Sequence, residues 1–115
     1  MVWLSIWINI WQRDFVDFEW DPRKDEINQA RHGVSFVEAQ YAFADPQRVI
    51  AKDVKHSKVQ EERFFCFGKS ANGILTIRFT YRENKVRIFG AGYWREGKRV
   101  YERQNKIPKG PETGR

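Results

Sequence analysis

Three apolar runs separated by two turn signals, the middle one alternating with period two, constrain this chain more than any other feature: "ERFFCFG", "SANG", "ILTIRFTY", "RENK" and "VRIFGAG" follow one another from residue 62 to residue 92. Side chains of a strand point alternately to the two faces of a sheet, so the middle run sets Leu75, Ile77, Phe79 and Tyr81 on one face and Thr76, Arg78 and Thr80 on the other. Asn-Gly and a short polar tetrapeptide are hairpin connections. The pattern predicts an antiparallel meander with an apolar core face. In the third run Val86 and Ile88 suit that face, which puts Arg87 on the open face beside Arg78, with Phe89 as an apolar exception there. "VIAKD", before residue 55, reads as a further short strand.

The cover for the core face is written upstream, in "FEWDPRKDEINQARHGVSFVEAQYAFADP", residues 18–46. Asp21 can accept from the free N–H groups of a helix start, and Pro22 at the first helical position loses no needed donor. Arg31 and His32 then face the negative end of the helix dipole, and Gly33 takes the left-handed cap. Ser35 and Glu38 have the spacing of a capping box for a second helix from Phe36, which ends before Asp45-Pro46 because the residue preceding a proline is pushed out of the helical region. "RHGVS" is thus a bend between two helices, and His32 a helix-terminal cation. A DNA-reading helix-turn-helix needs an exposed polar second helix, whereas "FVEAQYAFA" is apolar nearly all round and reads as buried. After Gly92, "YWREGKRVYERQNK" reads as a basic helix despite Gly97. The fold class expected is α+β: two N-terminal helices packed on an antiparallel sheet, followed by a basic C-terminal helix.

A chain of 115 residues is long enough for one core and too short for two ordinary domains. With 21 Lys+Arg against 15 Asp+Glu the formal net charge is +6 and the pI about 9.7, a balance that favours nucleic acid or an acidic protein as partner. The single cysteine, Cys66, lies inside an apolar run, so it offers neither an internal disulfide nor a Cys-based zinc site, and it fits a reducing compartment. "MVWLSIWINIWQRDFVD" is too short to span a bilayer and lacks the basic start and small-residue cleavage site of a secretory signal. An added strand, a hydrophobic leader and an early start codon all remain open for it. The expected organisation is a leader over 1–17, the domain over 18–106 and a flexible tail over 107–115.

In this order and at about these separations, "FEWDPRK", "RHGVSFVEA", "FADP", "HSKVQEERFFCFGKS" and "VRIF" resemble the BrnT family of bacterial toxins, over Phe18 to Arg103. The resemblance implies a compact RelE-like ribonuclease fold and a block of translation by RNA cleavage in the cytoplasm. It also implies a BrnA-type antitoxin carrying a ribbon-helix-helix part, through which alone operator DNA is bound and the operon repressed. No cofactor and no membrane association are expected. Two departures stand out: the leader is longer than such proteins carry, and where many members have Ser-Ala-Arg after the last strand this chain has "GAGYWREGK", with Gly92 in place of the arginine.

Metal-free RNA cleavage needs a group to take the 2′-hydroxyl proton, one to protonate the leaving oxygen, and cations to hold the phosphate as charge builds. No carboxylate pair is placed for a two-metal mechanism, so no metal site is expected. In "HSKVQEERF", His56 can shuttle a proton, Glu62 can act as base and Arg63 can hold phosphate. Arg82 and Arg87 match positions of the resembled family and lie at or next to the open sheet face, completing the expected catalytic set. Lys69, Arg78, Arg95 and Lys98 are the expected RNA-binding cations, Arg95 or Lys98 reaching the phosphate that the missing arginine would meet. Two function classes follow: an RNA-cleaving toxin, favoured by the open-face arginines, and a non-catalytic binding module that keeps the fold and antitoxin surface, favoured by Gly92.

Overall fold

The computed structural model describes residues 2–9 and 14–106, and the expected tail over 107–115 lies outside the described residues. Six strands, β1 (Val2–Asn9), β2 (Asp14–Trp20), β3 (Val49–Lys52), β4 (Arg63–Ser70), β5 (Gly73–Arg82) and β6 (Lys85–Gly92), form one sheet in the order β1-β2-β6-β5-β4-β3. The meander of β3 to β6 is antiparallel throughout, as its turn chemistry demands. Glu83 and Asn84 turn between β5 and β6 at φ 52° and 64°, the positive-φ pair of a type I′ connection.

The expected order of elements is corrected in two respects. Strands, not helices, come first, with β1 and β2 pairing antiparallel from Val2↔Trp20 to Asn9↔Asp14. The sheet is also mixed, because β2 pairs parallel with β6 through Asp17↔Lys85, Phe18↔Val86 and Glu19↔Arg87. The reason is the route of the chain. After β2 it crosses one face of the sheet as helices, reaches the far edge at β3, and meanders back until β6 meets β2. A pairing between residues some 68 positions apart leaves no trace in local periodicity. β2 also runs across the boundary expected between residues 17 and 18.

Helix α1 (Pro22–His32) begins with Asp21 accepting the Arg23 N–H at 2.9 Å and ends at Gly33 with φ 67°. Ser35 Oγ accepts the Glu38 N–H at 3.0 Å and opens α2 (Phe36–Gln40), which tightens into a 3₁₀ turn, Tyr41–Ala44, and stops at Asp45. Only that half of the capping box forms. The Glu38 carboxylate accepts instead from the Tyr93 hydroxyl and the Asn72 amide, partners beyond β6 and in the β4–β5 turn. Beneath these helices Phe18, Phe43 and Phe79 meet edge to face at 5.1 and 5.0 Å in the centre of the core. Cys66 is buried there, and burial pushes its thiol well above the ordinary range, so it is a core residue and not a nucleophile.

Helix α3 (Arg95–Gln104) packs on the opposite face, where Gly97 permits contact with β5: a Cβ at 97 would lie 1.8 Å from Thr76 Oγ1. The buried ring of Tyr101 sends its hydroxyl to Asp45 Oδ2 at 2.7 Å, and the same oxygen accepts the Lys69 N–H at 2.8 Å. Asp45 therefore ties the end of the 3₁₀ turn to β4 and α3. α3 covers one end of this face and leaves the other end open.

Candidate functional site

The open end is built by register. Arg63 of β4 lies opposite Thr80 of β5, Thr80 opposite Arg87 of β6, and Arg87 opposite Glu19 of β2, a row across four strands. Since neighbouring strands lie about 4.8 Å apart, Arg63 and Arg87 rise from the same face on either side of one buried threonine. Arg78 stands one pair along β5 from Thr80, and Arg82 one pair along in the other direction. β6 carries a bulge here: Arg78 pairs with Gly90 and Phe79 with Ile88, so Phe89 has no opposite residue. The extra residue resets the alternation and adds an aromatic ring to the open face. Arg63 lays its guanidinium 4.4 Å from the centre of that ring, and Lys24 of α1 places its Nζ 5.2 Å from it.

Carboxylates hold three of the four arginines. Glu61 accepts from Arg63 Nε at 3.0 Å and reaches Arg82 at 3.4 Å, and Glu19 lies 3.5 Å from Arg87. The hydrogen bond from Arg63, then the charges of Arg63 and Arg82, hold the Glu61 carboxyl below its ordinary value against the opposing effect of burial. Arg87 and Glu19 are the most enclosed pair, at 14% and 12% side-chain exposure. Arg78 meets no carboxylate among the described residues. It floors a cleft of about 310 Å³ between α1, the bulged end of β6 and the start of α3, with Lys24, Arg31, His32, Phe89 and Trp94 in its walls.

Of the residues singled out from the sequence, Arg63, Arg78, Arg82 and Arg87 come together on this one face. Glu62 does not join them: it pairs with Lys52 at 3.1 Å, while its carbonyl accepts from Thr80 Oγ1 at 2.6 Å. Counting back by two from Arg63 finds the carboxylate on Arg63's own face, Glu61 and not Glu62. His56 sits in the β3–β4 loop with its Nδ1 2.8 Å from Oδ2 of the buried Asp53, which also accepts the His56 backbone N–H at 3.2 Å. A carboxylate partner makes Nδ1 the protonated nitrogen and leaves Nε2 for other work. Lys69 is six residues along β4 from Arg63, about 20 Å away, and is not part of the cluster. Arg95 follows Trp94 at the mouth of the cleft, with Lys98 one turn farther along α3. Trp94, which the sequence offers with Tyr93 and Tyr101 as an aromatic for stacking on bases, lines the cleft, whereas sequence reasoning missed Glu19, Lys24, Asp53 and Glu61, of which only Glu61 carried a local signal.

Gly92, the position of the missing arginine, is buried under Trp94: a Cβ there would lie 2.6 Å from the indole. Among the described residues no three His, Cys, Asp or Glu side chains gather as a metal-holding group, and no helix is long and apolar enough to cross a membrane.

Fold and face together define a class: a small, basic α+β protein with a cationic sheet surface suited to a polyanion. Residues 20–97 match the family model described as "Ribonuclease toxin, BrnT, of type II toxin-antitoxin system", and the chain belongs to that family. RNA is the substrate class of the family and an antitoxin its partner. A comparison with curated proteins finds no match.

Proposed function

We propose that the protein is a metal-independent endoribonuclease toxin that blocks translation in the cytoplasm, with Arg63, Arg82 and Arg87 holding the scissile phosphate. The observation that carries this reading is the convergence of these arginines, with Arg78, on one uncovered sheet face. As a trigonal-bipyramidal phosphorane develops, its extra negative charge strengthens each guanidinium contact, which is where the rate is gained. His56 is the proton carrier, with Asp53 fixing the tautomer that exposes Nε2, whereas Glu62, paired with Lys52 away from the arginine face, takes no part in the proton transfer proposed here. The neutralising partner is a BrnA-type antitoxin with a ribbon-helix-helix part, and the complex represses its own operon.

Cleavage of a defined RNA in EDTA tests this. Arg63→Ala, Arg82→Ala and Arg87→Ala should each slow cleavage far more than they shift the thermal midpoint. Lysine at the same positions restores activity only if charge suffices, because it keeps the charge and loses the planar fork. Unchanged rates across all three alanine variants would reject the phosphate assignment, and loss of activity in EDTA would reject metal independence. Induction of the protein should arrest growth, relieved by the neighbouring reading frame. The second reading, a non-catalytic binding module, is favoured by Gly92 under Trp94, where no arginine fits. Soluble, folded protein that leaves growth, translation and RNA intact would select it.

A further inference from the structure

We propose that the cleft between α1, the bulged end of β6 and Trp94 is a nucleotide subsite, in which Arg78 takes a phosphate and the Trp94 indole stacks on a base. The inference rests on the ribonuclease reading and extends the RNA path beyond the Arg63–Thr80–Arg87 row. Its volume of about 310 Å³ suits one nucleotide unit, and none of the residues lining it is acidic. Arg78 is one residue pair along β5 from Thr80, about 7 Å, the order of spacing between successive phosphates of an extended strand. Arg78 has no carboxylate partner among the described residues, whereas the other three arginines of the face do. A cation left without a counter-ion in a cleft lined by Lys24 and Arg31 is prepared for an anion from outside.

Trp94 supplies the second half of the recognition. The benzo edge of its indole lies directly over Gly92, where a Cβ would be 2.6 Å away, and the His32 ring meets it edge on at 5.2 Å and 74°. The indole is therefore held from two sides and still 37% exposed. A held, exposed aromatic surface beside unpaired cations fits a base attached to a phosphate better than an acidic peptide, which would use the cations and leave the indole face unused. The one amide in the cleft, Asn28, is spent: it donates to the carbonyls of Val34 and Ala91 at 2.8 and 2.9 Å and accepts the Ala91 N–H at 3.1 Å. With that amide spent, the recognition proposed here is stacking on the base and charge on the phosphate, which every base shares.

Binding of a short 2′-O-methyl oligoribonucleotide, which lacks the 2′-hydroxyl nucleophile, isolates the subsite from cleavage. Measured by fluorescence anisotropy over a salt series, Trp94→Leu should weaken binding about five- to hundredfold, alike for all four bases, with the salt slope unchanged. Arg78→Gln should weaken binding and reduce the slope by about 0.7, the loss of one phosphate contact to a single strand. Trp94→Phe keeps an aromatic face and should recover most of the affinity, which separates stacking from any loosening of α3. Wild-type affinity in Trp94→Leu, or an unchanged salt slope in Arg78→Gln, would overturn the proposal. So would displacement of the oligonucleotide by a glutamate peptide whose own binding needs Arg78 and Trp94, since that marks a protein docking site. If folded wild type leaves unmodified RNA uncut yet the methylated strand depends on both residues, the ribonuclease reading falls and the subsite stands.

Discussion

Replacing Asn28 by Asp exchanges one NH₂ group for one oxygen, and the consequences can be worked out atom by atom. β2 leaves the sheet after Trp20, so the edge of β6 beyond Arg87 has no strand partner, and the buried Asn28 amide takes its place. It accepts the Ala91 N–H at 3.1 Å and donates to the carbonyls of Ala91 and Val34 at 2.9 and 2.8 Å. An aspartate keeps the first bond and turns the other two into oxygen facing oxygen in a buried site. Each carbonyl left unsatisfied costs about 1–3 kcal/mol, so the expected loss at neutral pH is about 2–6 kcal/mol, a large share of the 5–15 kcal/mol of a typical domain. The buried carboxyl is disfavoured in its charged form, which raises its folded-state pKa above the unfolded value. The penalty is then smallest below the unfolded pKa and grows as pH rises through the folded one. Urea unfolding of wild type and Asn28→Asp at pH 4 and pH 7 measures both effects. A variant within 0.5 kcal/mol of wild type at pH 7, or one more destabilised at pH 4 than at pH 7, would refute the role of Asn28 as a surrogate strand.

Gly97→Ala should destabilise the protein even though alanine gains about 1 kcal/mol of helix propensity over glycine, because overpacking against Thr76 costs about 1–3 kcal/mol. Thr76→Ala, which removes a buried hydroxyl without a hydrogen-bond partner, should relieve that cost in the double variant, and a stabilising Gly97→Ala alone would show that α3 does not seat there. Arg63 and Arg82 hold the Glu61 carboxyl below its ordinary value of 4.5, so its contribution to stability is complete above that pH and lost as pH falls through the lowered folded value. Glu61→Gln should flatten this acid limb in thermal unfolding from pH 6 to pH 2; an identical limb would place the arginines elsewhere.

What was legible in the sequence is what short range determines. Asp21, Gly33, Ser35 and Asp45-Pro46 act within a few residues, and the helix boundaries fall where their chemistry puts them. Period-two alternation in "ILTIRFTY" needs no partner to be read, and it places Arg63, Arg78, Arg82 and Arg87 on one face once the register is known. The parallel pairing of β2 with β6 is long-range, and so is Asn28 closing the β6 edge. Glu38 also shows the limit: its spacing from Ser35 is that of a capping box, yet Tyr93 and Asn72 compete for the same carboxylate and win. The bulge at Phe89 was visible only as an apolar exception on a polar face. That exception proved to be the ring on which Arg63 rests.

The two ends of the open face differ for one steric reason, which ties the fold to the site. At one end Gly92 and Gly97 remove the side chains that would keep Trp94 and α3 off the sheet, so that end is covered. At the other end four arginines rise from neighbouring strands, and like charges so placed repel one another unless something lies between them. Glu61 and Glu19 supply that screening, one carboxylate bridging Arg63 and Arg82 and the other meeting Arg87. The screening also sets what a phosphate must do to bind. It shares Arg63 and Arg82 with Glu61, or displaces the carboxylate toward water, while Arg78 meets it with no carboxylate to displace. On the proposed ribonuclease reading, a strand of RNA should therefore find its easiest hold in the cleft and its more contested hold at the arginine row, where the contact grows only as the phosphate gains charge.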